Sequence, residues 1–139
     1  MAAFNKFNIF VQDIGRGVHV LNTNVLKVML TNTAPVASNT IFANLTEISA
    51  GNGYTAGGTT TASTAYSQTS GTATLSGSDV IFTASGGTIG PFRYAVLYND
   101  TPTSPADPLI GWWDYGSSVT LNSGDTFTVD FGASILTIV

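Results

Sequence analysis

Gly90-Pro91-Phe92-Arg93-Tyr94-Ala95-Val96-Leu97-Tyr98 places Phe92, Tyr94, Val96 and Tyr98 on one face of an extended chain and Arg93, Ala95 and Leu97 on the other. A strand apolar on both faces belongs between two covering layers, not on a half-wet surface. Leu109-Ile110-Gly111-Trp112-Trp113-Asp114-Tyr115 repeats the pattern, with Ile110 and Trp112 on one face and Leu109, Gly111, Trp113 and Tyr115 on the other. Residues 101–108 hold three of the five prolines and read as the loop between these two strands.

Outward from this pair, Leu26, Val28 and Leu30 alternate with Lys27, Met29 and Thr31 in a further strand that Pro35 closes. Residues 41–48 read as a weak strand, and Asn52-Gly53 marks a turn inside a loop over residues 49–58. The Thr/Ser/Ala-rich residues 59–68 suit a strand with a wet face, because β-branched Thr favours the pleated sheet. Residues 72–75 and 80–83 read as a hairpin around Gly77-Ser78-Asp79. A second hairpin joins residues 119–121 to Phe127, Val129 and Phe131, and a last strand runs over residues 134–139. About eight to ten short strands, with no helix available for crossovers, predict an all-β fold: an antiparallel β-sandwich or jelly roll.

The one helical signal is N-terminal. Phe4, Phe7, Phe10, Val11 and Ile14 recur at spacings of three and four, predicting a short amphipathic helix stopped by Gly15 or Gly17, with Arg16 placed against the helix dipole. Residues 1–21 are thus expected to form an amphipathic helix or arm, and residues 22–139 the sandwich, in a single compact domain.

The 139 residues include four Lys plus Arg, eight Asp plus Glu, one His and no Cys; 9% are charged and 43% hydrophobic. Thr and Ser make up about a quarter of the chain. The scattered cations Lys6, Arg16, Lys27 and Arg93 argue against nucleic-acid binding, which needs clustered positive charge. No run approaches the roughly 18 apolar residues that span a bilayer, and no basic region followed by an apolar stretch opens the chain, so neither a membrane nor a secretory route is expected. A weakly charged Thr/Ser surface with many aromatics is easier to understand if part of it is covered in an assembly.

Catalytic signals are thin. His19 lacks a nucleophile-elbow motif and reads as a packing or hydrogen-bonding residue. Asp114, Asp125 and Asp130 could meet across a sheet as a glycosidase pair must, but no long cleft is expected in so short a chain. The glycine-rich stretches match neither a P-loop nor a dinucleotide fingerprint. The expectation is therefore no enzyme, no cofactor and no metal. Trp112, Trp113 and Tyr115, with Tyr94 and Tyr98 on a neighbouring strand, read either as a stacking platform for sugar rings or as core plus subunit interface. Adjacent tryptophans in a strand must point to opposite faces, which favours the second reading.

Specific strings carry a resemblance. Leu26-Lys27-Val28-Met29-Leu30-Thr31-Asn32-Thr33-Ala34-Pro35, Leu45-Thr46-Glu47-Ile48 with Ala50-Gly51-Asn52-Gly53-Tyr54, and the Phe92-to-Tyr98 strand through Gly111-Trp112-Trp113-Asp114-Tyr115-Gly116 resemble a family of small β-rich structural virion proteins of tailed bacteriophages, over nearly the whole chain. The resemblance implies a capsid decoration or cement protein that binds the shell and bridges capsomers. Its partners would be the major capsid protein or copies of itself, and it would be made in the host bacterial cytoplasm and carried on the capsid surface. The alternative is a tail or fibre component that binds host-surface carbohydrate. The expected partner contacts are Phe4, Phe7, Phe10 and Ile14 on the helix face, Trp112, Trp113 and Tyr115, and Ile138 and Val139 on the C-terminal strand. The helix face either lies in a partner's groove or covers an open end of its own sandwich.

Overall fold

The computed structural model describes residues 2–139. Ten strands and one α-helix succeed one another: β1 (Phe4–Lys6), α1 (Asn8–Gly15), β2 (Leu26–Thr31), β3 (Thr59–Thr60), β4 (Ala65–Thr69), β5 (Thr72–Ser76), β6 (Val80–Thr83), β7 (Ile89–Asn99), β8 (Leu109–Leu121), β9 (Thr126–Val129) and β10 (Leu136–Ile138). They form a five-stranded sheet in the order β1-β8-β7-β2-β3 and two smaller ladders, β10-β5-β4 and β6-β9. Every pairing is antiparallel. The chain is an all-β sandwich with one short helix.

The doubly apolar β7 and β8 lie inside the large sheet, as their sequence requires. On one face Val28, Leu30, Ala95, Leu97 and Trp113 are buried against Leu75, Phe82 and Leu136 of the smaller ladders. On the other, Met29, Val96, Tyr98 and Leu109 form a second core closed by Phe7, Phe42 and Leu45. The strict alternation read from the sequence breaks at three irregularities. The β7–β8 register shifts between Ile89 and Phe92, between Phe92 and Tyr94 and again between Leu97 and Tyr98. A bulge adds a residue to one strand and reverses the parity of the residues beyond it. Ile110 accordingly lies with Trp113 instead of Trp112, and Phe92 shares a core with Ala95 and Leu97 instead of Val96 and Tyr98.

Several local expectations are corrected. Residues 41–48 hold no strand but a single 3₁₀ turn (Phe42–Asn44), in which Asn44 Oδ1 accepts from the Thr40 and Ile41 amides at 2.9 and 3.2 Å. The hairpin of β5 is made with β4, not β6: Ser70 and Gly71 both adopt positive φ, the two-residue turn whose twist matches the flanking strands. β6 pairs with β9, so the turn at residues 122–125 joins strands of different sheets instead of forming a β8–β9 hairpin.

The N-terminal segment is corrected too. Phe4 lies in β1, opposite Trp113 of β8, and helix α1 begins only at Asn8. Residues 4–6 are therefore built into the sheet edge, and the helix is confined to residues 8–15. The helix stops as its glycines predict: the Gly17 amide donates to Ile14 O at 3.2 Å and the Val18 amide to Asp13 O at 3.0 Å, around a positive φ at Gly17.

The outer edge of β2 is covered. Beyond its short pairing with β3, the loop over residues 46–58 takes over: Ile48 N donates to Leu30 O at 3.1 Å, and Thr31 Oγ1 donates to Thr46 O. The buried Tyr54 hydroxyl accepts from Leu30 N at 3.0 Å and donates to Glu47 Oε2 at 2.7 Å, where the Gly57 amide also donates at 2.7 Å. Burial, reinforced by the Glu47 carboxylate, pushes the Tyr54 phenol far above its ordinary range.

Candidate functional site

The residues expected at a partner surface fall into two groups. Phe7 and Phe10 are fully buried in the chain's own cores, and Phe4 and Ile14 pack on the larger one. The Phe7 ring sits 4.5 Å from that of Trp112. Gly111 has no side chain because a Cβ there would collide with the Phe4 ring. The helix face thus closes its own sandwich, because Phe7 and Phe10 fill the two cores at the edge where β1 and β8 meet. Trp113 is core at 6% exposure, and Trp112 is half-buried on the opposite face. Ile138 is half-buried against the larger core, whereas Tyr115, at 57%, and Val139 remain exposed.

The aromatic platform divides accordingly. Trp112 and Tyr98 belong to the second core, and Tyr98 commits its hydroxyl to Gly57 O at 2.5 Å. Trp113 and Tyr115 instead face a cleft of about 210 Å³ between the large sheet and β9. Arg93, Ala95, Trp113 and Tyr115 form its sheet wall, and residues 127–130 form the wall opposite.

A local irregularity builds this cleft. The β7–β8 register jumps from Phe92 opposite Val119 to Tyr94 opposite Asp114, so residues 115–118 bulge out across from the single residue Arg93. Gly116 takes a positive φ within the bulge, and its amide donates to Asp114 Oδ1 at 2.8 Å. The same carboxylate is gripped by Arg93 through both oxygens, Nε to Oδ1 at 2.8 Å and Nη2 to Oδ2 at 3.1 Å. This forked pair fixes both side chains in a plane. The Arg93 hydrogen bond and the Gly116 amide hold the Asp114 carboxyl below its usual range, while Asp114 raises the Arg93 guanidinium. Tyr115 meets Phe127 edge-on, with centroids 5.3 Å apart and planes at 70°. Among the described residues the buried Trp113 indole N–H has no hydrogen-bond partner.

Of the three aspartates weighed as an acid/base pair, Asp114 is committed to Arg93, Asp125 caps its own turn by accepting from Asn122 N at 2.9 Å, and Asp130 lines the cleft with Oδ1 accepting from Gly132 N at 2.8 Å. A carboxyl held low by a guanidinium is poorly suited to the protonated acid of glycoside hydrolysis. Sequence reasoning passed over the Arg93–Asp114 pair. Its signal was a lone cation in an apolar strand with an aspartate on the neighbouring one.

His19 lies elsewhere, in a buried polar knot. Its ring packs 5.3 Å from Phe10, and its Nδ1 faces Asn99 Nδ2 at 3.1 Å, while Asn99 Nδ2 also donates to Asn24 Oδ1 at 2.8 Å. An amide donor on Nδ1 leaves the proton on Nε2, which is buried and has no partner among the described residues. Burial lowers the imidazole to about 4, so the ring is neutral at pH 7. Two hollows of about 420 and 450 Å³ flank Arg16 and Ser104 nearby, lined mainly by loop residues. Among the described residues, no group of three or more His, Cys, Asp or Glu side chains is placed to hold a metal ion, and no helix is long and apolar enough to cross a membrane.

No protein-family model matches this chain, and neither a curated protein nor a solved structure matches it.

Proposed function

We propose that this chain is a structural protein of a tailed-phage virion, a capsid decoration or cement protein that binds the shell and bridges capsomers. Its partners are the major capsid protein and copies of itself. It is made in the host bacterial cytoplasm and works on the capsid surface. Beside the resemblance of its sequence strings, one observation carries the reading: an undefended sheet edge. No charged residue occurs between Glu47 and Asp79, a span that holds β3, β4 and β5. Within it β4 is an outer strand of its sheet, and Ala65, Ser67, Gln68 and Thr69 are exposed.

Free monomers protect such edges with Lys, Pro, bulges or a covering loop, because a bare row of backbone N–H and C=O groups pairs with any available strand. β4 carries neither Lys nor Pro, and its pairing with β5 runs without a register shift. An edge left in this state is suited to receive a strand from a neighbouring subunit, with main-chain hydrogen bonds supplying affinity and alternate side chains supplying register.

The test is the copy number and location of the protein in purified virions, by quantitative mass spectrometry of intact particles and of separated heads and tails. Hundreds of copies in the head fraction are expected. A few copies confined to the tail, or absence from the particle, overturn the reading.

A further inference from the structure

The cleft between β7–β8 and β9 has features that an inert packing seam does not need. It is smaller than the roughly 300–1,000 Å³ that encloses a drug-sized ligand, and at about 210 Å³ it has the size of one ring. Its walls divide into an aromatic part and a polar part. Trp113, Tyr115 and Phe127 supply the aromatic part, and Tyr115 stays 57% exposed although Phe127 braces it. An exposed aromatic held rigidly by a neighbour offers contact area at little entropic cost.

The polar part is the Arg93 guanidinium, held from the neighbouring strand by Asp114, which does not itself line the cleft; both side chains are a little over one-third exposed. The guanidinium has five N–H donors and directs two at Asp114, so donors remain in a plane that the carboxylate fixes. A fork that is neutral overall has no excess charge to attract an ion. Asp130 on the opposite wall adds a negative charge, which disfavours phosphate, sulfate and acidic sugars. Apolar flat surface, a rigid plane of donors on Arg93 and a carboxylate on the opposite wall together describe a ligand with C–H faces, hydroxyls and no negative charge.

We propose that this cleft binds a single neutral pyranose ring, with a C–H face on Tyr115 and hydroxyls on the Arg93 guanidinium that Asp114 holds in place. The bulge over residues 115–118 is the device that creates the site, because it brings Asp114 to Arg93 and carries Tyr115 to the rim. The inference is independent of where the protein sits in a particle.

The test is an ¹⁵N NMR titration of the full chain with the methyl pyranosides of glucose, galactose, mannose and N-acetylglucosamine, into the tens of millimolar. Saturable shifts are expected at the Trp113 indole and at the Tyr115 and Thr128 amides for at least one sugar. The Trp112 indole, on the other face of the sheet, should stay still. Tyr115→Ala should weaken binding about tenfold or more, whereas Tyr115→Phe, which keeps the ring, should retain it. Arg93→Gln should weaken binding comparably. Both positions are part-exposed, and the unshifted remainder of each spectrum reports an intact fold. The proposal is overturned if no sugar produces saturable shifts, or if Tyr115→Ala binds as well as the parent. It is equally overturned if N-acetyltryptophanamide shifts these resonances and no sugar does, which assigns the cleft to a partner's aromatic side chain.

Discussion

The N-terminal segment, residues 4–15, and the β4–β5 hairpin, residues 65–76, are of similar length and opposite construction. The first puts its aromatics inside: Phe7 and Phe10 are buried, Phe4 lies over Gly111, and β1 closes one edge of the large sheet. The second buries only Leu75 fully and leaves the backbone edge of β4 bare. An apolar periodicity therefore marks core in this molecule, and the surface suited to assembly is marked by a long absence of charge. The covered edge of β2 sharpens the point, since the chain devotes a whole loop, a buried tyrosine and its only glutamate to that edge and nothing to β4.

The largest expected effect comes from the inward-facing segment. Phe7→Ala removes a fully buried ring that touches Trp112 and should destabilise the fold by about 3–5 kcal/mol in urea denaturation. A cost near zero would mean that the helix face is not core, and the contrast between the two regions would collapse.

His19, packed against Phe10 of the same segment, carries a pH signature. The His19 imidazole ordinarily titrates at 6.5 and is lowered to about 4 in the fold, so the unfolded chain takes up its proton first as pH falls. The stability that the neutral ring confers is intact above about pH 6.5 and is lost progressively down to about pH 4, roughly 3 kcal/mol in all. Burial raises Asp13, which works in the opposite sense, because its proton uptake favours the fold as pH falls. Comparing unfolding free energy against pH for the parent and His19→Gln isolates the histidine. The variant should lose the extra slope in that window, and equal slopes would remove the buried neutral ring from the account.

The covered edge predicts a smaller loss. Tyr54→Phe leaves the Leu30 amide and Glu47 each without the phenolic partner, and should cost about 1–3 kcal/mol. Faster hydrogen exchange at the Leu30 amide than in the parent would show that the loop over residues 46–58 has loosened.

The layered strands were legible because β2, β7 and β8 state their burial in their own residues. Strand partners were not, since β4, β5, β6 and β9 are short and rich in Thr, and local alternation says which face is wet but not which neighbour pairs. Phe4 misled because a spacing of three to Phe7 fits a helix as well as a strand and then a turn. The cleft was illegible for a different reason. Tyr94, Asp114 and Tyr115 were readable singly, but the bulge that exposes Tyr115 and joins Asp114 to Arg93 depends on how β7 and β8 slide past each other.

The smallest effect on stability belongs to the bare edge and carries the most functional weight. Ser67→Lys places a charge in the middle of β4, on an exposed residue paired only with Thr74. Surface changes of this kind stay within about 0.5 kcal/mol, so the folded monomer should be unaltered. A lysine on an edge strand opposes the approach of a second strand, because pairing would desolvate its charge. On the proposed capsid role, particles assembled with Ser67→Lys should therefore carry far fewer copies than particles with the parent chain, counted by the same quantitative mass spectrometry. Ser67→Thr, which keeps the β-propensity and adds no charge, should restore them. Full occupancy with the lysine would show that β4 is not the surface that meets the shell, and attention would pass to the outer edge of β10, the other free edge of the same sheet.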